Sequence, residues 1–165
     1  MTPIQTQYGG QFFRTRGEAR FAVFFDACQL HYEYEKEGFW LEEGGKYLPD
    51  FFGYQNSIAG WKYKSELPKP LAILKCHCLA DETQKRVVMT HSSPGLETLV
   101  ACFSPGWNGH MLQTVPAFFM QWLRPEVVLA AIQQAQSARF EFGETPNVVP
   151  LHLTTSKPSN ATLPF

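Results

Sequence analysis

Between Thr15 and Cys28 the apolar residues Phe21, Phe24, Phe25 and Cys28 recur at i, i+3, i+4 and i+7. That spacing lays one stripe along a helix. Three residues later the period changes. Over 31–36, Tyr32 and Tyr34 alternate with Glu33 and Glu35, the pattern of a half-exposed strand. Helical and extended elements therefore have to share one core, and that core must take large flat rings, since the chain of 165 residues holds 14 phenylalanines.

The helix is predicted over 15–28, with Thr15 as its cap and Glu18 three residues on. Glu18 has two readings, a favourable charge in the first turn of a helix and a carboxylate aimed at a site. Ahead of it, residues 1–13 read as a loose arm or a short edge strand. A strand over 38–43 is followed by Gly44-Gly45, which suits a tight hairpin, and by a partner strand over 46–52. Pro49 in that partner has no backbone donor, so pairing stops there and the next side chain, Asp50, is turned out of the ladder. After a loop over 53–60, a strand over 59–64 places Lys62 and Lys64 on one face and Trp61 and Tyr63 on the other. Pro68 and Pro70 suit the start of a helix that ends near Asp81. Strands are expected over 86–91, 99–103 and 110–115, then an apolar patch of Phe118, Phe119 and Trp122 without an assigned structure. A last helix spans 125–140, with Gly143 beyond its end. One domain covers 1–144, and 145–165, with four prolines, reads as an extended or disordered tail.

A formal net charge of −1 excludes the overall basic excess of an obligate nucleic-acid binder, so any such contact must come from a local patch. No signal-like segment and no apolar run of 18 residues is seen, and a soluble protein without membrane contact is expected. Cys28, Cys76, Cys78 and Cys102 do not suggest a disulfide framework in a domain of this size. Cys76-His77-Cys78 looks like a metal cluster, but residues two apart on a helix point in different directions. Zinc is not expected.

The residues Arg16-Gly17-Glu18-Ala19-Arg20-Phe21-Ala22-Val23-Phe24-Phe25-Asp26 resemble the opening helix of a group of small phage and bacterial proteins. The likeness continues through Tyr32–Phe39 and Tyr47-Leu48-Pro49-Asp50-Phe51, and returns at Ala138-Arg139-Phe140-Glu141-Phe142-Gly143-Glu144. These proteins resemble the PD-(D/E)xK nuclease superfamily. The resemblance implies an α/β (α+β) restriction-endonuclease-like fold, a mixed central sheet flanked by helices. It also implies a metal-dependent phosphodiesterase acting on DNA or RNA, in the cytoplasm of a bacterial host, with a phage gene as one source. Glu18, Asp50 and Lys64 would be the catalytic set, Mg²⁺ or Mn²⁺ the cofactor, and Lys64 the lysine that orients or activates the attacking water. Lys62, Arg16 and Lys75 would face the substrate.

The stretch that should carry the (D/E)-x-K triplet reads Trp61-Lys62-Tyr63-Lys64, so Lys62 stands in place of the second carboxylate. A lysine repels Mg²⁺ and has no lone pair to offer it, whereas lysines beside one aspartate suit a phosphate. Glu66 would restore the missing ligand if the strand extends, giving Asp50, Glu18 and Glu66 as the metal set. The alternative is a nuclease-fold protein that no longer cleaves and binds nucleic acid or a protein partner, for example a phage product acting against host defence. A third reading gives Asp50 a turn-capping role and leaves the lysines as a solvated strand face.

Overall fold

The computed structural model describes residues 5–35, 37–53, 58–64, 69–140, 146 and 148–150. In chain order the elements are β1 (Thr6–Tyr8), β2 (Gln11–Phe13), α1 (Arg16–Ala27), β3 (Tyr32–Tyr34), β4 (Phe39–Leu41), β5 (Gly45–Tyr47), β6 (Phe51–Gly53) and β7 (Ile58–Lys64). They continue with α2 (Pro70–Thr83), β8 (Arg86–His91), β9 (Leu99–Phe103), β10 (Met111–Thr114), α3 (Val115–Phe119) and α4 (Pro125–Ser137).

The central sheet is mixed, in the order β10-β9-β8-β7-β6-β3. The pairs β3-β6 and β6-β7 are antiparallel, β7 and β8 are parallel, and β8-β9 and β9-β10 are again antiparallel. Parallel neighbours need a crossover, and α2 supplies it. The expected α/β architecture, a mixed sheet flanked by helices, is present.

Helix α1 begins as expected. Thr15 Oγ1 accepts from Glu18 N–H at 3.1 Å, and Glu18 Oε2 accepts from Thr15 N–H at 3.1 Å, a reciprocal box that satisfies two otherwise unpaired donors. Phe21, Phe24 and Phe25 are fully buried against Trp61 of β7, with ring centroids 5.7 Å from Phe21 and 5.3 Å from Phe25. Gly17 makes this approach possible, because a Cβ there would lie 2.1 Å from the Tyr63 ring. On the same side of the sheet, α4 and α3 join α1 through Val128, Ile132, Phe118 and Phe119. The opposite side is covered by α2, with Cys76, Leu79 and Ala80 on Val87, Met89 and Phe103.

Several expectations need correction. Residues 46–52 are not one strand. Lys46 and Tyr47 belong to the small β4-β5 hairpin, and pairing with β7 resumes only at Phe51. Pro49, which has no donor, and the turned-out Asp50 separate the two. The N-terminal arm is a hairpin, β1-β2, whose Tyr8 and Phe13 are buried in the core, with Tyr8 OH bonded to Asp26 Oδ2 at 2.5 Å. The patch at 118–122 includes a short helix capped by Thr114 Oγ1, which accepts from Ala117 N–H. Helix α4 stops at Ser137, three residues short of the expected end, because Ala138 is extended. Pro70 occupies the first turn of α2, and Pro68 lies outside the described residues. Of the tail, Val149 exchanges two hydrogen bonds with the Gln134 side chain, while 151–165 lie outside the described residues, as do Gly143 and Glu144. Among the described residues no helix is long and apolar enough to cross a membrane.

Candidate functional site

At the break between β5 and β6 the chain turns and buries Asp50, which is 1% exposed. Its backbone is held on both sides, N–H to Trp61 O at 3.1 Å and C=O to Glu35 N–H at 2.8 Å. The carboxylate is therefore fixed at the junction of β3, β6 and β7. Oδ2 accepts from Tyr63 N–H at 2.8 Å, and Oδ1 accepts from Lys62 Nζ at 3.0 Å. Lys62 Nζ also donates to Leu48 O at 2.8 Å. Its side chain is 16% exposed, so this is an ion pair largely removed from water.

Glu18 reaches the same place from the first turn of α1. It is buried, and Tyr34 OH donates to its Oε2 at 3.0 Å beside the Thr15 N–H. Burial pushes its carboxyl up to about 7, and the Asp50 charge pushes the same way, against the hydrogen bonds and Lys62. Burial also raises Asp50, while Lys62 and the Tyr63 N–H oppose the rise. Lys64 is two residues along β7 on the face of Lys62. Burial lowers its pKa, and Lys62 and Lys75 push it further down, while Asp50 raises it. The Lys64 C=O accepts from Ser92 N–H at 3.1 Å, and its ammonium makes no hydrogen bond or ion pair among the described residues. Lys75, on α2, donates to Lys46 O at 2.9 Å.

The structure thus brings Glu18 and Lys64 each within electrostatic reach of Asp50, with Lys62 acting on both and Lys75 near enough to act on Lys64. Arg16 stands half-buried at the first position of α1. Glu66 lies outside the described residues. Cys76, His77 and Cys78 point apart: Cys76 Sγ is 3.5 Å from Tyr47 OH, the His77 ring meets Phe103 at 4.8 Å, and Cys78 lies near Glu43 and Glu82. Cys102 is on the opposite side of the sheet, packed with the α1 core.

Three neighbours were not legible in the sequence. Tyr34 read only as a strand residue and holds Glu18. Arg20, half-buried, has an Nε atom with no hydrogen-bond partner among the described residues. His91 pairs in register with Lys64 across the parallel β7-β8 ladder, which puts it on the Lys64 face. No local pattern shows that pairing, because it depends on which strand follows the crossover.

A divalent cation needs oxygen lone pairs turned towards it. Here both Asp50 oxygens and Glu18 Oε2 already accept, and an ammonium occupies the approach to Asp50 Oδ1. Among the described residues no group of three or more His, Cys, Asp or Glu is placed to hold a metal ion. As placed, the described residues offer Mg²⁺ or Mn²⁺ no fitting set of ligands. No protein-family model, curated protein or solved structure matches the chain.

Proposed function

We propose that the protein binds nucleic-acid phosphates at this cluster and does not cleave them by a metal-dependent reaction. On this reading the chain is a PD-(D/E)xK relative in which Lys62 has taken over the charge of the metal. The carrying observation is the 3.0 Å contact of Lys62 Nζ with Asp50 Oδ1, beside a Lys64 ammonium left without a partner among the described residues. Asp50 balances one ammonium, and Lys64 with Lys75 remains for a ligand. A phosphate oxygen placed between them would relieve the repulsion that lowers the Lys64 pKa.

The mixed sheet and the placement of Glu18 and Lys64 about Asp50 support the nuclease ancestry. They do not by themselves supply cleavage, because function belongs to the site rather than the fold. A second reading, a metal-dependent phosphodiesterase, is favoured by the carboxylate pair itself, since Glu18 and Asp50 repel each other. It would require Lys62 to leave Asp50 and a further carboxylate, such as Glu66, to arrive.

Plasmid nicking, nucleic-acid binding and calorimetric Mg²⁺ titration on wild type, Lys64→Ala and Lys62→Glu separate the two. Wild type should bind nucleic acid with affinity that falls as salt rises, take up Mg²⁺ weakly and not nick. Lys64→Ala should weaken nucleic-acid binding roughly fivefold, the loss of one charge-assisted contact. Lys62→Glu should gain Mg²⁺ binding. Mg²⁺-dependent nicking by wild type that disappears in Asp50→Ala would overturn the proposal in favour of the enzyme.

A further inference from the structure

We infer that the cleft continuing from the lysine cluster receives single-stranded nucleic acid, with unstacked bases on its apolar floor and a phosphate at Arg20. The inference rests on the phosphate-binding reading above and names its ligand. The cleft, about 1160 Å³, contains His91, Met89, Ala101, Phe103, Leu112 and Arg20 in its walls. It starts where the lysines end, because His91 is the in-register neighbour of Lys64 on the same face. Backbone traced past Lys62 and Lys64 would therefore lead directly into it.

Its floor is apolar for a structural reason. Helix α2 lies over β7, β8 and part of β9 and leaves β10 and the Leu99 end of β9 open. Leu99 and Leu112 are 49% and 58% exposed there, next to buried Ala101 and Phe103. The half-buried His110 lies over this floor, its ring centroid 5.0 Å from that of Phe103. Flat and apolar side chains beside a cationic track are what unpaired bases use without regard to sequence. A duplex keeps its base faces stacked inside and would leave this surface uncovered. The volume exceeds the roughly 300–1,000 Å³ usual for one small ligand, which leaves room for more than one nucleotide.

Arg20 adds an independent observation. Arg20 enters the cleft from α1, and its buried Nε donor has no partner among the described residues. A buried guanidinium donor without an acceptor is costly, and a phosphate oxygen is the acceptor that matches its geometry. With the lysines on one side of the sheet, Arg20 entering from the other and an apolar floor beside them, the charge pattern fits an anionic backbone carrying apolar bases. It fits a purely apolar peptide poorly.

The test is fluorescence anisotropy of a labelled mixed-sequence 12-nucleotide single strand, the duplex of the same sequence, and a mononucleotide as competitor. The proteins are wild type, Lys64→Ala, Leu112→Asp, Arg20→Gln and, as a control at an exposed α4 residue that does not line the cleft, Leu129→Asp. The single strand should bind roughly tenfold tighter than the duplex. Leu112→Asp and Arg20→Gln should each weaken it roughly five- to tenfold with duplex binding unchanged, and Leu129→Asp should do nothing. Leu112 is exposed, so its variant should keep the wild-type melting temperature, and Leu99→Asp gives a second probe of the floor. If duplex binds as well as single strand and the cleft variants have no effect, the cleft inference fails while the phosphate-binding reading survives. If wild type binds neither form, both fail. Full competition by the mononucleotide at equal concentration would also overturn the strand inference, because the cleft would then be a nucleotide pocket.

Discussion

The two sides of the sheet are built differently. The side under α1, α3 and α4 is closed by aromatic rings, with Trp61 surrounded by Phe21, Phe25, Phe118 and Phe119 at centroid distances of 5.3–5.8 Å. The side under α2 is covered by one helix and holds Tyr47, Cys76 and Leu79, and then the lysine cluster and an open cleft. A side that closes completely gains stability and offers no access. A side left half covered gives up burial and keeps a surface that a ligand can reach. Stability and candidate function are thus divided across β7, whose alternating residues serve one side and then the other.

That division makes predictions of decreasing size. Trp61→Ala should cost the most, about 3–5 kcal/mol in chemical denaturation, whereas Leu79→Ala under α2 should cost about 2–3 kcal/mol. Equal losses would show that the two sides contribute alike. Gly17→Ala comes next. Its methyl group would enter the Tyr63 ring, which packs on Phe21, and should cost about 1–3 kcal/mol of stability. A variant as stable as wild type would mean that α1 moves off β7 freely.

The smallest effect depends on pH. Folding raises the Glu18 carboxyl to about 7 from its ordinary 4.5, so the folded state favours the protonated form. The stability linked to Glu18 is full below about pH 4.5 and is lost as pH rises through about 7. Glu18→Gln keeps an oxygen for Thr15 and Tyr34 and carries no charge. Relative to wild type it should gain about 1–2 kcal/mol at pH 8 after allowance for solvent screening, and little at pH 4. A gain independent of pH would show that burial and the Asp50 charge do not raise this group.

Much of this arrangement was legible in local pattern. The Phe21–Phe24–Phe25 stripe and the Thr15–Glu18 box defined α1 because helix period and capping act within a few residues. Strands over 86–91 and 99–103 followed from short apolar runs between turn residues, and the strict alternation of Trp61, Lys62, Tyr63 and Lys64 assigned the two faces of β7. Pro49 marked the interruption that turns Asp50 inward, although the full split of 46–52 between two sheets was not apparent. It depends on which partner each half finds.

What the tertiary structure alone decided was every relation between distant segments. Lys62 sits on Asp50 because the ladder puts those strands side by side, and the low polarity of that junction makes the pair hold. His91 stands next to Lys64 because α2 returns the chain parallel to β7, and Arg20 reaches the same cleft from the other side of the sheet. The hairpin at 6–13 contributes Tyr8 and Phe13 to the core although its sequence is polar, since two rings suffice once α1 offers a surface to cover. Periodicity records how a residue faces its own element. Which residues of other elements it meets depends on packing, and packing is determined by the whole chain at once.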